Sequence, residues 1–232
     1  MAYITFENVT KVYRSGEQEV RALDGMSFTV EKGELCVIVG PSGAGKGTVY
    51  NEVLVRRPEI RRSVSVTTRA PRKGEVDGVH YFFKTVEEYQ KMIANGEFLE
   101  TASVYSNYYG TPKAPVYEML AAGNDVMFEI DTLGAKQIKS IYHEAVTIFI
   151  IPPSFEILEK RLRARGTDSE DSIIRRLSCA KSELAKYRQF DYIVFNDELE
   201  TSIERVLSII DAEKSRIQRN EDVIKDYLAT RK

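Results

Sequence analysis

No stretch of this 232-residue sequence stays apolar for the roughly 20 residues that a membrane helix requires. The longest apolar runs, such as Val146–Ile151, are the size of a strand. The opening residues, Met-Ala-Tyr-Ile-Thr-Phe-Glu, contain no basic segment leading into an apolar core, so no secretory signal is expected. Only two cysteines occur, Cys36 and Cys179, without CxxC spacing and with only two histidines in the chain. A metal centre and a structural disulfide are therefore not expected; both thiols are expected to be buried, in a reducing cytoplasm. The formal net charge is −2, so no global basic field points to nucleic acid or to an anionic membrane. Positive charge for an anionic ligand must then be concentrated locally. There is no internal repeat and no low-complexity segment.

What remains is an ordinary globular composition, 43 % hydrophobic and 29 % charged, at a length that suits one core with or without insertions. Residues 1–33 read as β, with Ile4 and Phe6, then Val9 and Val12, then Met26, Phe28 and Val30, punctuated by Gly16, Gly25 and Gly33. The continuous apolar run Leu35–Val39 reads as a strand buried on both faces. A glycine-rich loop and a periodic segment with Val49, Val53 and Leu54 follow, ending before Pro58. Further strands are expected at residues 63–68, 98–105, 125–131, 146–151 and 192–196. Helices are expected at 85–96 (opened by a Thr85/Glu88 capping box), 112–123, 155–165 and 170–190, with one long charged helix at the end. Strands alternating with helices predict an α/β, doubly wound parallel sheet flanked by helices.

The strongest local signal is Gly40-Pro41-Ser42-Gly43-Ala44-Gly45-Lys46-Gly47-Thr48 between that strand and helix. Glycines let successive N–H groups curl around one anion, and the helix adds its positive end. Lys46 reaches the β- and γ-phosphates of a nucleotide as a point charge. The general motif has Ser or Thr after the lysine to touch Mg²⁺; here that position is Gly47, and the hydroxyl of Thr48 sits at a different angle. Mg²⁺ accompanying ATP is then expected to be held mainly by phosphates, water and a strand-end carboxylate, with no dedicated protein metal site.

A second cluster separates a kinase from a generic NTPase. Ser65-Val66-Thr67-Thr68-Arg69-Ala70-Pro71-Arg72-Lys73-Gly74-Glu75, followed by Gly78 and Tyr81, puts two arginines three apart among hydroxyls and a phenol, a compact phosphate clamp. Glu100 and Asn107-Tyr108-Tyr109-Gly110-Thr111 add a carboxylate, a phenol and a hydroxyl. Taken singly, each arginine or tyrosine is most simply a solvated surface residue; the ordered set argues otherwise.

From about Glu34 onward the sequence resembles the guanylate kinase family. The resemblance rests on the phosphate loop, T-T-R-x-P-R-x-G-E, N-Y-Y-G, Glu129-Ile130-Asp131, R-x-R-G at Arg163 to Gly166, and Asn196-Asp197. It implies the P-loop nucleoside monophosphate kinase fold and phosphoryl transfer from Mg·ATP to GMP, within purine nucleotide metabolism. It implies that Arg69, Arg72, Tyr81 and Tyr109 hold the GMP phosphate, and that Ser65, Glu75, Glu100 and Thr111 shape the guanine site, with Glu129 and Asp131 alongside. Guanine offers N1–H and N2–H donors to a carboxylate such as Glu100, whereas adenine offers an acceptor at N1. A lid carrying Arg161, Arg165 and Arg176 would close over ATP, and Asn196 and Asp197 would contact adenine. Lys46, Arg72, Arg161, Arg165 and Arg176 would neutralise the transferring group. The implied boundaries are a core of 34–62, 116–153 and 178–232, a GMP-binding insertion at 63–115 and a lid at 154–177. ATP and GMP are the implied partners, with room for a homodimer. Leu133 stands where the family usually has glutamine.

The first thirty residues resemble the start of an ABC transporter ATPase, whose corresponding aromatic, here Tyr13, stacks on adenine. No L-S-G-G-Q signature follows, and the E-I-D strand lacks that family's Asp-Glu ending. ATP hydrolysis of that kind is the alternative reading for function. A kinase-like binding module is another, disfavoured because Lys46 and the arginines are intact.

Overall fold

The computed structural model describes residues 4–15, 18–30, 33–104, 107–164 and 169–229, with side chains from residue 33 to 225 within these segments. In chain order the elements are β1 (Ile4–Ser15), β2 (Gln18–Val30), β3 (Leu35–Val39), α1 (Lys46–Arg56), β4 (Arg61–Arg62), β5 (Val66–Thr67), β6 (Phe82–Phe83) and α2 (Val86–Ala94). There follow β7 (Phe98–Val104), β8 (Asn107–Pro112), α3 (Lys113–Ala121), β9 (Val126–Glu129), α4 (Thr132–Ile141), β10 (Val146–Ile151), α5 (Phe155–Ala164) and α6 (Glu170–Leu184). A 3₁₀ turn at Tyr187–Gln189 leads to β11 (Tyr192–Phe195), α7 (Leu199–Lys214) and α8 (Ile217–Ala229).

The central sheet is parallel, in the order β11-β10-β3-β9-β4. Successive strand residues point to opposite faces, and β3 is buried throughout. Cys36 and Ile38 pack with Val49, Tyr50 and Val53 of α1 and Ile203, Val206 and Ile210 of α7. Leu35, Val37 and Val39 pack with Val116 and Leu120 of α3 and Ala135 and Ile138 of α4. Helices on both faces explain why β3 carries no polar residue. A smaller core of Leu158, Leu162, Ile173 and Ala180 joins α5 to α6. The four-stranded sheet β6-β5-β8-β7 carries Thr67, Glu100, Tyr109 and Thr111, and α2 opens with the expected capping box. β1 and β2 pair antiparallel as a two-stranded sheet, from Ile4 opposite Val30 to Ser15 opposite Gln18.

Several expectations need correction. Of the strand expected at 63–68 only Val66–Thr67 (β5) forms, and the short β4 (Arg61–Arg62), in a different sheet, precedes the expected range. Strand β8 and helix α4 were not foreseen. The helix expected to reach residue 190 ends at Leu184. The terminal helix breaks after Lys214, where the Asn220 side-chain amide donates to the carbonyls of Lys214 (2.7 Å) and Arg216 (2.9 Å). Cys36 is buried, and burial, with Asp125 and Glu34 adding, pushes its thiol up to about 12. Cys179 is exposed, because the buried stripe of α6 runs through Ile173, Leu177 and Ala180.

The end of the chain is tied to the start of β3 by charge. Arg219 reaches Glu34 at 2.9 Å and Glu213 at 3.1 Å, and Glu213 also takes Arg216 at 3.1 Å and the Tyr192 hydroxyl. The Glu213 side chain is only 3 % exposed. Truncating it leaves half-buried donors without their acceptor, so Glu213→Ala is expected to lower the unfolding free energy by about 1–3 kcal/mol. A urea melt monitored by circular dichroism reads this directly.

Candidate functional site

The buried strand β3 delivers the chain into the loop at residues 40–45, and α1 begins at once. Gly45 caps α1 at φ 89°, a left-handed conformation that a side chain would strain, and a Cβ there would lie 2.3 Å from the Asn196 Nδ2. The cap has no side-chain oxygen, and no acidic residue lies in the first turn. The first N–H groups of α1 and its positive end are thus left for an external anion. The ammonium of Lys46 donates to the carbonyls of Gly40 (2.6 Å) and Pro41 (3.3 Å), folded back over the loop it serves.

Two hollows flank this loop. The first, about 420 Å³, is lined by Gly43, Gly45, Thr48, Arg161, Asn196 and Asp197, among others. Asn196 braces it: its backbone N–H donates to Ile151 (2.7 Å), its amide to the Ala44 carbonyl (2.7 Å), and its own carbonyl accepts from Arg161 (2.8 Å). The other guanidinium nitrogen of Arg161, Nη1, is buried without a hydrogen-bond partner. Asp197 is exposed at the rim, 4.0 Å from Arg205. Arg163 is held by Glu159 (2.8 Å) and Glu170 (2.6 Å). Arg176 is half-buried on α6. Arg165 lies outside the described residues.

The second hollow, about 240 Å³, is lined by Lys46, Ser65, Tyr81, Glu100, Tyr109, Glu129 and Asp131, among others. Glu100 is 3 % exposed and accepts a hydrogen bond from the Thr111 hydroxyl at 2.7 Å; Ser65 lies 3.4 Å from that hydroxyl. Burial, with Asp131 adding and Thr111 opposing, pushes the Glu100 carboxyl up to about 7. Helix α4 fixes it in place. A Cβ on Gly134 would fall 2.6 Å from the Glu100 Oε2, and Gln137 pairs with both backbone groups of Thr101 (3.1 and 2.9 Å). Asp131 caps α4, its Oδ1 accepting from Leu133 (2.9 Å) and Gly134 (2.8 Å). Glu129 meets solvent through the mouth of the cleft, but the surrounding walls raise its carboxyl, with Lys46 and Arg62 opposing.

Beside this hollow Arg69 and Glu75 form a forked pair at 2.8 and 3.0 Å, and Glu75 also accepts from the Arg72 backbone at 2.6 Å. The Glu75 hydrogen bond is the main cause of the raised Arg69 pKa, and Arg69 in turn lowers that of Glu75. The Arg69 guanidinium lies 5.5 Å from the centre of the Tyr81 ring, which meets Tyr109 edge-on at 6.1 Å. Arg72 is exposed. The sequence reading put Glu75 at the base; its contacts are with the arginines. Gly134 and Gln137 were missed, and a glutamine four residues after Leu133 was the available signal. The Leu133 side chain itself is 54 % exposed.

A family model described as guanylate kinase matches residues 32–213. The guanylate kinase of Carboxydothermus hydrogenoformans is 52 % identical over 190 residues, 82 % of this chain and 93 % of that protein. That of Clostridioides difficile is 49 % identical over 195 residues, 84 % of this chain and 95 % of that protein. Among solved structures, the crystal structure of guanylate kinase from Anaplasma phagocytophilum matches with a TM-score of 0.67 at 34 % identity, covering 81 % of this chain and 89 % of that one.

An ionised carboxylate can only accept, which suits the N1–H and N2–H donors of guanine, whereas a protonated one also donates and suits the N1 acceptor of adenine. If Glu100, with its carboxyl at about 7, meets the base, affinity for GMP relative to AMP should rise with pH from 5.5 to 8. Below the pKa the ratio should lose up to about tenfold per pH unit. Calorimetry with both nucleotides checks this, and the ratio cancels titration of their shared phosphate.

Proposed function

This chain belongs to the guanylate kinase family, and we propose that the first hollow holds ATP and the second GMP, with residues of both carrying the phosphoryl group across. The reaction is that of an ATP:GMP phosphotransferase, ATP and GMP giving ADP and GDP. The observation that carries this reading is that the two hollows meet at the phosphate loop: Gly43, Gly45 and Thr48 line the first, and Lys46 lines the second with Glu100.

On this reading Arg69, Arg72, Tyr81 and Tyr109 hold the GMP phosphate, and Glu75 stiffens the two arginines through its hydrogen bonds to both. Glu100, aligned by Thr111 and Ser65, reads the guanine edge. On the donor side Lys46 exchanges its two carbonyl partners for the β- and γ-phosphates. Arg161, already anchored on Asn196, turns its unpartnered nitrogen to the nucleotide, and Arg165 and Arg176 add charge from the lid. The attacking phosphate oxygen is already an anion, so no side chain must remove a proton. In-line positioning and neutralised charge supply the catalysis, and closure of the lid keeps water from accepting the phosphoryl group.

ATP brings Mg²⁺, which neutralises charge on the phosphates. The donor set fits such an ion: the Glu129 carboxylate, a hard oxygen donor, stands against the first turn of α1. An ion of this kind keeps phosphate and water ligands. We take residues 34–232 as the kinase domain, with core segments 34–62, 116–153 and 178–232, the acceptor insertion 63–115, the lid 154–177, and 1–33 as an added arm. We place the reaction in the cytoplasm; no helix among the described residues is long and apolar enough to cross a membrane.

Lys46→Ala should lower turnover by about 10²–10³, the scale of one lost transition-state donor, while GMP affinity without ATP holds. Coupled ADP release and calorimetry measure the two. Equal loss of GMP affinity would overturn the division of the hollows. Removing residues 1–32 should leave kcat/KM for ATP within a few-fold. A loss above tenfold, about 1.4 kcal/mol, in both the truncated chain and Tyr13→Ala would put the arm in the nucleotide site.

A further inference from the structure

We propose that Glu183 is a positioning residue of the transfer site, its carboxylate taking the Lys46 ammonium when that lysine leaves the loop carbonyls for the donor phosphates. This rests on the kinase reading above and deepens it. Glu183 stands on the last turn of α6, half-buried, and its Oε2 is buried without a hydrogen-bond partner. A buried carboxylate oxygen left so costs stability. The cost calls for a partner that arrives in another state of the molecule.

Packing brings Glu183 to the phosphate loop. A Cβ on Gly43 would fall 2.9 Å from side-chain carbons of Leu158 and Leu162, and these pack with Ile173, Leu177 and Ala180 of α6. One residue past Glu183, Leu184 packs on the cluster that holds Val39 and Ile130, at the carboxyl ends of β3 and β9. Glu183 thus lies where α6 crosses the strand ends. Burial raises its carboxyl, Lys46 opposes, Asp131 adds and Lys186 opposes. Of the two cations, Lys186 is exposed and stays hydrated, whereas Lys46 lines the second hollow. Asp131 has its Oδ1 committed to the N–H groups of Leu133 and Gly134. An ammonium carries three N–H donors. In the empty loop two carbonyls take that of Lys46, at 2.6 and 3.3 Å. When the β- and γ-phosphates replace them, a third acceptor fixes the direction of the lysine, and a carboxylate does so through a charge-assisted bond. Because α6 begins in the lid segment and ends beside the loop, the contact ties the lysine to the lid helix.

The test uses the full chain, with Lys46→Ala as the second arm of a double-variant cycle. Glu183→Met, similar in length and uncharged, should lower kcat by about tenfold or more, with GMP affinity by calorimetry without ATP within about threefold. In the Lys46→Ala background the same change should cost less than about twofold, since its partner is gone. Glu183→Gln, which keeps a neutral acceptor, should lose only part of the turnover. The urea midpoint of unliganded Glu183→Gln should hold or rise, because the variant removes a buried charge that has no partner there; a scaffold role would lower it. Equal losses in both Lys46 backgrounds overturn the proposal, as does an unchanged kcat in Glu183→Met or a lowered midpoint in Glu183→Gln. If Glu183→Met fails to fold, the cycle is run with Glu183→Gln and decides in the same way. Failure of the unaltered chain to phosphorylate GMP would sink the kinase reading instead, a separate result.

Discussion

A loop that binds an anion through its own N–H groups cannot also satisfy them internally. The rest of the structure holds such a loop open. The opening turn of α1 has neither a capping side chain nor an acid, so its cost must be offset around it. The offset is a strand buried on both faces on one side and Asn196 on the other, its amide spent on the carbonyl of Ala44. Asn196 can do this because β11 runs parallel to β10 and ends level with it, where the Ile151 carbonyl takes the Asn196 N–H. Parallel strands end together, and the loops after them converge. The nucleotide site follows from the sheet.

The same constraint explains how a chain with a net charge of −2 serves two polyanions. Cations are gathered at the carboxyl ends of the strands and on α5, and several are given a local acid. Arg69 has Glu75, Arg163 has Glu159 and Glu170, and Lys46 has Glu129 nearby. An arginine held in a fork by an acid loses less conformational freedom on meeting a phosphate than a solvated one.

How much of this was legible in the sequence depended on how local the cause was. The phosphate loop, the capping box of α2 and the buried strand β3 are set by residues adjacent in the chain, and they were read from it. β8 was not, because Asn-Tyr-Tyr-Gly-Thr-Pro has no apolar alternation; it is a strand because β5 and β7 flank it. α4 is short and carries an interior glycine, which argues against a helix until Asp131 is seen capping it and Glu100 is seen lying against Gly134. The pairing of Glu75 with Arg69 was not legible, because a partner six residues away across a turn gives no periodic signal. Exposure of Cys179 depended on which stripe of α6 met α5.

The second hollow takes Glu100 and Tyr109 from the four-stranded sheet and Glu129 from the central one, beside Lys46 of the phosphate loop, and α4 links the two sheets. Its N-terminus is capped by the residue two beyond Glu129, and its first two turns carry Gly134 and Gln137 against β7. The strand that delivers Glu129 beside the phosphate loop thus leads directly into the helix that seats Glu100. Both carboxylates are referred to one backbone segment, residues 129–137. A continuous segment of nine residues fixes the spacing between the two carboxylates more tightly than two loops could, since each would add its own freedom. In-line transfer depends on that spacing. This explains why a glycine is tolerated inside a helix, where its cost relative to alanine is about 1 kcal/mol: a Cβ at Gly134 would fall 2.6 Å from the Glu100 carboxylate and displace it.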